Sequence, residues 1–231
     1  MELQGKRVLV VGANGVLGGA IAQHLLQAGA QVLGTARSAE SAGALAANLS
    51  ERLLLDLADA QSVRTMADYL VATGLPLDGV VNASGRVGFG TAEHTDPGQA
   101  ATLLQINHAG PAHLIATLLP ALRISAAAGR EPFVAGITGV VSERAFPGMA
   151  AYVASKTAHA AWLAALRLEL RRDRIRVIDA HPGHTETGLA TRPLFGVAPA
   201  FPGGHAPENV ASVIVAAIGD GATTDVPSSA F

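Results

Sequence analysis

The chain has 231 residues, 49% hydrophobic and 15% charged, with a formal net charge of -2. That length suits one sizeable α/β domain, and the small net charge gives no electrostatic case for a nucleic-acid partner. The chain holds no cysteine, which excludes disulfides and thiolate catalysis and fits a reducing, cytoplasmic setting; no signal-peptide pattern or membrane-length apolar run predicts a membrane partner.

The first element is a short apolar run, Val8 to Val11, which predicts a strand buried in a parallel sheet. Gly12, Gly15 and Gly18 follow, and an Ala- and Leu-rich stretch then reads as a helix over 16–28. Strand, glycine turn and helix make a phosphate-binding unit. Gly12 allows the tight turn, Gly15 lets the backbone approach a pyrophosphate, and Gly18 lets helix and strand pack closely. Asn14, Val16 and Leu17 line the same turn, where the helix N-terminus offers free N–H groups to an anion.

The second strand, expected at 30–36, ends in Ala36-Arg37. A carboxylate there would bind a ribose 2′-hydroxyl; Ala36 offers none, whereas the Arg37 guanidinium suits a 2′-phosphate. The spacing thus favours NADP over NAD. Further strands are expected at 52–55, 77–82, 132–138 and 175–180, and helices at 39–48, 59–73, 97–127, 150–172 and 206–219. Such alternation predicts an α/β fold, a doubly wound parallel sheet (Rossmann fold) in a single domain spanning 1–231, with ligands beyond the carboxyl ends of the strands.

Within the 150–172 helix stand Tyr152 and Lys156. Residues four apart share a helix face, so the ammonium should favour phenolate and pull the tyrosine pKa down towards neutrality. A phenol so tuned can exchange a proton with a carbonyl or alcohol oxygen.

Together these motifs make the chain resemble the short-chain dehydrogenase/reductase family over nearly its whole length. Four further segments carry the resemblance: Asp56-Leu57 after the third strand, Asn82-Ala83-Ser84-Gly85 after the fourth, Asn107 in Gln-Ile-Asn-His, and Pro182-Gly183-His184-Thr185 after the sixth. The resemblance implies that Asp56 and Leu57 meet the adenine. It implies that Asn82, Ala83 and Ser84 border the cofactor, and that Pro182, Gly183 and Thr185 meet the nicotinamide. Tyr152 would be the general acid or base, with Lys156 lowering its pKa and holding the nicotinamide ribose. Asn107 would support a water chain to solvent. The implied activity interconverts a carbonyl and an alcohol on a small organic substrate by hydride transfer. The family's long helices after the fourth and fifth strands imply a homodimer or homotetramer.

Two departures stand out. The glycine turn spaces its glycines as Gly-x-x-Gly-x-x-Gly, a divergent form. The family's serine thirteen residues before the tyrosine is Gly139 here. Ser142, in the following loop, or a bound water would have to replace the missing hydroxyl. If Gly139 only removes a donor, a serine restored there should recover rate; if turnover is lost, the chain is a nucleotide-binding sensor or scaffold. His181 and His184 flank Pro-Gly without an evident third ligand, so no metal site is expected. Residues 188–205, rich in Gly, Pro and Phe, are expected to form a lid over the substrate.

Overall fold

The computed structural model describes residues 1–231. The strands are β1 Arg7–Val11, β2 Gln31–Ala36, β3 Glu51–Leu54, β4 Gly79–Asn82, β5 Phe133–Ile137, β6 Arg176–Ala180 and β7 Asp225–Val226. The helices are α1 Val16–Gln27, α2 Ala39–Ala42, α3 Ala60–Ala72, α4 Pro97–Leu104, α5 Gly110–Ala127, α6 Ala150–Glu169 and α7 Pro207–Gly219. All strands run parallel in one seven-stranded sheet of order β3-β2-β1-β4-β5-β6-β7. The order reverses between β1 and β4, and the crevice at that switch point opens at their carboxyl ends.

Alternation along the strands fills a core on each face. Val8, Val10, Phe133 and Ala135 pack under α1 and α7 with Ile21, Leu25 and Ile214. Leu9, Val11, Val134 and Val177 pack under α3, α5 and α6 with Leu70, Leu118 and Leu163. Strands buried on both faces read as continuous apolar runs, which is why they were visible in the sequence. No helix is long and apolar enough to cross a membrane.

Three elements differ from expectation. The 39–48 helix ends at Ala42, with Gly43 as its cap, because glycine is a poor helix former. The 97–127 helix is interrupted by a π-turn over Gln105–Ala109, and Pro111 stands in the first turn of α5. Proline brings no N–H to the helical ladder there, so the wide turn falls where a bond is already missing. The last strand, β7, has only two residues and no period that could betray it.

Candidate active site

The glycine turn joins β1 to α1. A Cβ on Gly18 would fall 2.2 Å from the Gly12 carbonyl oxygen, so only glycine allows this approach. The N-cap of α1 is Gly15, whose position carries no side-chain cap. The first N–H groups of the helix therefore face the crevice free, as an anion site requires. Val16 is exposed at the same end. Across the crevice, the 82–86 loop leans on the turn: a Cβ on Gly12 would lie 3.0 Å from Ser84 Cβ. Asn82 is buried and its Oδ1 accepts from Ser84 Oγ at 2.9 Å. Ala83, half-buried, packs against the α1-side core. These features fit the phosphates and riboses of a dinucleotide.

The π-turn turns Asn107 inward. Its Nδ2 donates to the Arg86 carbonyl at 2.8 Å and to Ser155 Oγ at 2.9 Å, while its Oδ1 accepts from the Arg86 N–H at 2.8 Å. Ser155 Oγ donates in turn to the Tyr152 carbonyl at 2.8 Å. A Cβ on Gly85 would lie 3.3 Å from both Asn107 Oδ1 and Lys156 Nζ. Asn107 and Lys156 thus flank one point of the loop, one turn of α6 away from Tyr152. Ser155, which links them, went unremarked in the sequence although it adjoins Lys156.

The electrostatics differ from the expected ones. Lys156 Nζ donates to the Ile137 carbonyl at 2.8 Å. Burial pulls its pKa down to about 8, against an opposing pull from Asp179. Burial pushes the Tyr152 phenol up to about 12, with no contribution from the lysine. The expected fall of the tyrosine pKa is therefore not found in this state: desolvation outweighs a cation whose proton is directed at a backbone carbonyl.

Gly139 adopts φ 77° and ψ 166°, a conformation essentially confined to glycine. Ser142 Oγ donates to the Gly139 carbonyl at 2.8 Å and lies 2.9 Å from both Thr138 Oγ1 and His181 Nδ1. Thr138 Oγ1 donates to Asp179 Oδ1 at 2.7 Å, and His181 Nε2 meets Asp225 Oδ1 at 3.0 Å. Ser142 is thus held in a network joining β5, β6 and β7 rather than set against Tyr152. Asp225, which holds His181 from its other ring nitrogen, was not visible because β7 was not.

Tyr152 sits in an apolar cluster with Val87, Phe89, Leu103, Val141 and Met149. The 188–205 segment covers it with Leu189, Leu194 and Phe195. The cover is pinned by Leu194 N–H to the Val87 carbonyl at 2.7 Å and by Phe89 N–H to the Phe195 carbonyl at 3.0 Å. At its neck Thr185 bridges His205, and the His184 ring stacks on Phe201 at 4.9 Å. Pro182 is buried beside Gly183, whose carbonyl accepts from Thr185 Oγ1 at 3.1 Å. Asp56 lies two residues past β3, its Oδ1 taking the Ala58 N–H at 2.9 Å; Leu57 beside it is buried. Arg37 is exposed at the end of β2.

A doubly wound sheet with this crevice and this tyrosine–lysine helix defines a nucleotide-dependent oxidoreductase class. Residues 6–193 match the family model for short chain dehydrogenase, and the chain belongs to that family. It is 30% identical over 235 residues to a dehydrogenase/reductase SDR family protein 7-like of Anopheles gambiae, covering 94% of this chain and 73% of that one. A short-chain dehydrogenase structure from Streptomyces avermitilis superposes with a TM-score of 0.85 at 27% identity, covering 97% of this chain and 88% of the other. One from Burkholderia cenocepacia, in complex with NADP, gives 0.83 at 23% identity, covering 98% and 89%, a likeness of fold.

Proposed function

We propose that the protein is an NADP-dependent reductase or dehydrogenase that interconverts a carbonyl and an alcohol on a small, largely apolar substrate. The observation that carries this reading is the buried pair Lys156 and Asn107 flanking Gly85, with Tyr152 buried one turn before Lys156 on α6 and its carbonyl linked to Asn107 through Ser155. Gly12, Asn14, Gly15, Val16, Leu17 and Gly18 would hold the phosphates, and Asp56, Leu57, Asn82, Ala83 and Ser84 the adenosine side. Pro182, Gly183 and Thr185 would hold the nicotinamide side. Ala36 and Arg37 support NADP over NAD, since Arg37 is exposed and pairs with no carboxylate. When bound, a nicotinamide dinucleotide supplies or accepts the hydride.

The chain's own part is proton transfer and exclusion of water. Tyr152 keeps its proton at neutral pH and gives it up as charge develops on the substrate oxygen. Lys156, a cation below about pH 8, stabilises the phenolate that forms. Asn107 supports the water chain that returns a proton. The 188–205 cover keeps bulk water from the reacting atoms, and the apolar residues it shares with Tyr152 favour an apolar substrate. With Ser142 engaged elsewhere, a bound water serves as donor to the substrate oxygen in place of the absent serine. Exposed Leu104, Ile124 and Leu168 on α4, α5 and α6 support a homodimer or homotetramer, which light scattering would read.

Tyr152→Phe tests the reading on a carbonyl panel with NADPH. Turnover should fall by about 10²–10⁴-fold while the Kd for NADPH stays within a factor of about two. A phenylalanine variant with wild-type kcat on an established substrate removes the assigned role. Gly139 supports one other reading, a dinucleotide-binding sensor; wild type that binds NADPH yet turns over no carbonyl or alcohol would favour it.

A further inference from the structure

Arg86 follows directly on Gly85 and lies between the cofactor crevice and the cover. Its backbone is gripped on both sides by Asn107, whose Nδ2 meets the Arg86 carbonyl and whose Oδ1 meets its N–H, each at 2.8 Å. The side chain is therefore launched from a fixed point. Its Nη2 reaches the Arg192 carbonyl of the cover at 3.4 Å, a long contact, while its Nε is buried with no partner. Neither Arg86 nor Arg192 forms an ion pair with any carboxylate. The Arg86 guanidinium is held below its ordinary range, first by burial and then by the charges of Arg37 and Arg192.

A partly buried guanidinium with an orphaned donor and a like charge on either side is unfavourable unless an anion belongs beside it. The neighbourhood says which anion. The side chains packed around Tyr152, namely Val87, Phe89, Leu103, Val141 and Met149, are apolar and offer a carboxylate nothing. The phosphate side does otherwise: the loop carrying Arg86 leans on Gly12 through Ser84. Arg192 is braced on its own segment by its Nη2 on the Thr187 carbonyl at 3.2 Å and its Nε on the Gly188 carbonyl at 3.1 Å, just past the Thr185 segment. Arg37 stands across the crevice, at the end of β2.

We propose that Arg86 and Arg192 form a clamp on the dinucleotide pyrophosphate, closing over it from the side opposite the α1 N-terminus. The inference rests on the reading of the site as a dinucleotide site and assigns two residues that neither the glycine turn nor the tyrosine–lysine pair includes. The pyrophosphate then ties the crevice to the cover, because Arg192 belongs to the segment that closes over Tyr152. Arg37, by contrast, reads the 2′-phosphate alone.

The test is binding, measured by nicotinamide fluorescence for NADPH and NADH at fixed ionic strength. Arg86→Gln should raise Kd about tenfold for both cofactors, and Arg192→Gln, on the exposed cover, should raise both in the same direction. Arg37→Gln should raise Kd for NADPH only. Far-UV circular dichroism and thermal unfolding establish that each variant is folded, and Arg192→Gln carries the test if Arg86→Gln is not. Unchanged Kd for both cofactors in a folded Arg86→Gln or Arg192→Gln overturns the clamp, and a rise in substrate KM beside it would move the anion to the substrate. A loss confined to NADPH overturns it in favour of the 2′-phosphate. Wild type that binds neither dinucleotide defeats the underlying reading instead.

Discussion

The two ends of the sheet treat charge in opposite ways. At the amino end the buried charges at the starts of β1, β4 and β6 have polar partners, although Arg7 Nη1 goes without one. Asp78, fully buried before β4, accepts from Arg130 Nε at 2.7 Å and Nη2 at 2.6 Å, from the Arg7 N–H at 2.7 Å, and from Ser125 Oγ. Arg7 pairs with Glu51 at 2.8 Å. Arg176, at the start of β6, donates to the Ala217 and Thr223 carbonyls at 2.9 Å, close to the end of α7. At the carboxyl end, Arg37, Arg86 and Arg192 have no carboxylate, Lys156 is pulled down, Tyr152 is pushed up, and Arg86 Nε is buried without a partner. Removing one member of a buried pair leaves the other uncompensated, while unpaired charges clustered in a crevice mark a candidate site.

Breaking the amino end should produce the largest effect. Burial alone would raise the Asp78 pKa; bonds from Arg130, Ser125 and the Arg7 N–H outweigh it and leave the carboxyl below the ordinary range. A depressed carboxyl contributes stability above its unfolded value, and that stability is lost as pH falls through the folded one. Asp78→Ala removes the acceptor and leaves the buried Ser125 hydroxyl and Arg7 N–H without it. It should lower the unfolding free energy by about 3–5 kcal/mol in urea titrations. NADPH affinity of the fraction still folded should not change. A loss below about 1 kcal/mol, or a selective loss of cofactor binding, would erase the contrast between the two ends.

A smaller effect sharpens the carboxyl end. A Cβ on Gly139 has room, its nearest neighbour being the Pro182 carbonyl oxygen at 3.5 Å, but the backbone stands at φ 77°. Gly139→Ser should therefore cost about 1–3 kcal/mol in strain. The expectation that a restored serine recovers rate accordingly gives way to a flat or reduced kcat/KM. A serine variant at least as stable as wild type and faster would mean that the loop relaxes and presents the hydroxyl after all.

The carboxyl end was also the better legible in sequence, up to a point. Gly12, Gly15, Gly18, Tyr152, Lys156 and Asn107 stand in local patterns whose chemistry depends on short spacing, and the buried strands announce themselves as apolar runs. What the sequence hid depends on contacts between distant segments. Arg86 is interpretable only once Asn107, 21 residues on, grips its backbone, and Arg192 only once the cover is folded. The engagement of Ser142 needs His181, 39 residues on. The direction of the Tyr152 shift needs the depth of burial, which four-residue spacing does not encode. The break at Asn107 alone left a local trace, the Gly110-Pro111 pair.

The smallest effect at neutral pH concerns His159, on the buried face of α6 one turn beyond Lys156. It is buried, neither ring nitrogen has a partner, and its ring stacks on Trp162 at 5.7 Å and meets His108 edge-on at 5.9 Å. Burial, then the charge of Lys156, then His108 pull its pKa down to about 3. Between that value and the unfolded one of about 6.5, the unfolded chain binds a proton that the native chain refuses. Stability from this group is thus complete above about pH 6.5 and falls as pH drops towards 3, by up to about 1.4 kcal/mol per pH unit. His159→Phe keeps the stacked ring and removes both the orphaned nitrogens and this slope. It should gain about 1 kcal/mol at pH 7, and its advantage over wild type should widen as pH falls from 6.5 to 4.5. The widening is the sharper readout, because any packing cost of the larger ring is the same at every pH. Parallel stability curves for the two proteins across that range would mean that His159 takes up its proton in the native state, and so that it has a partner the fold supplies.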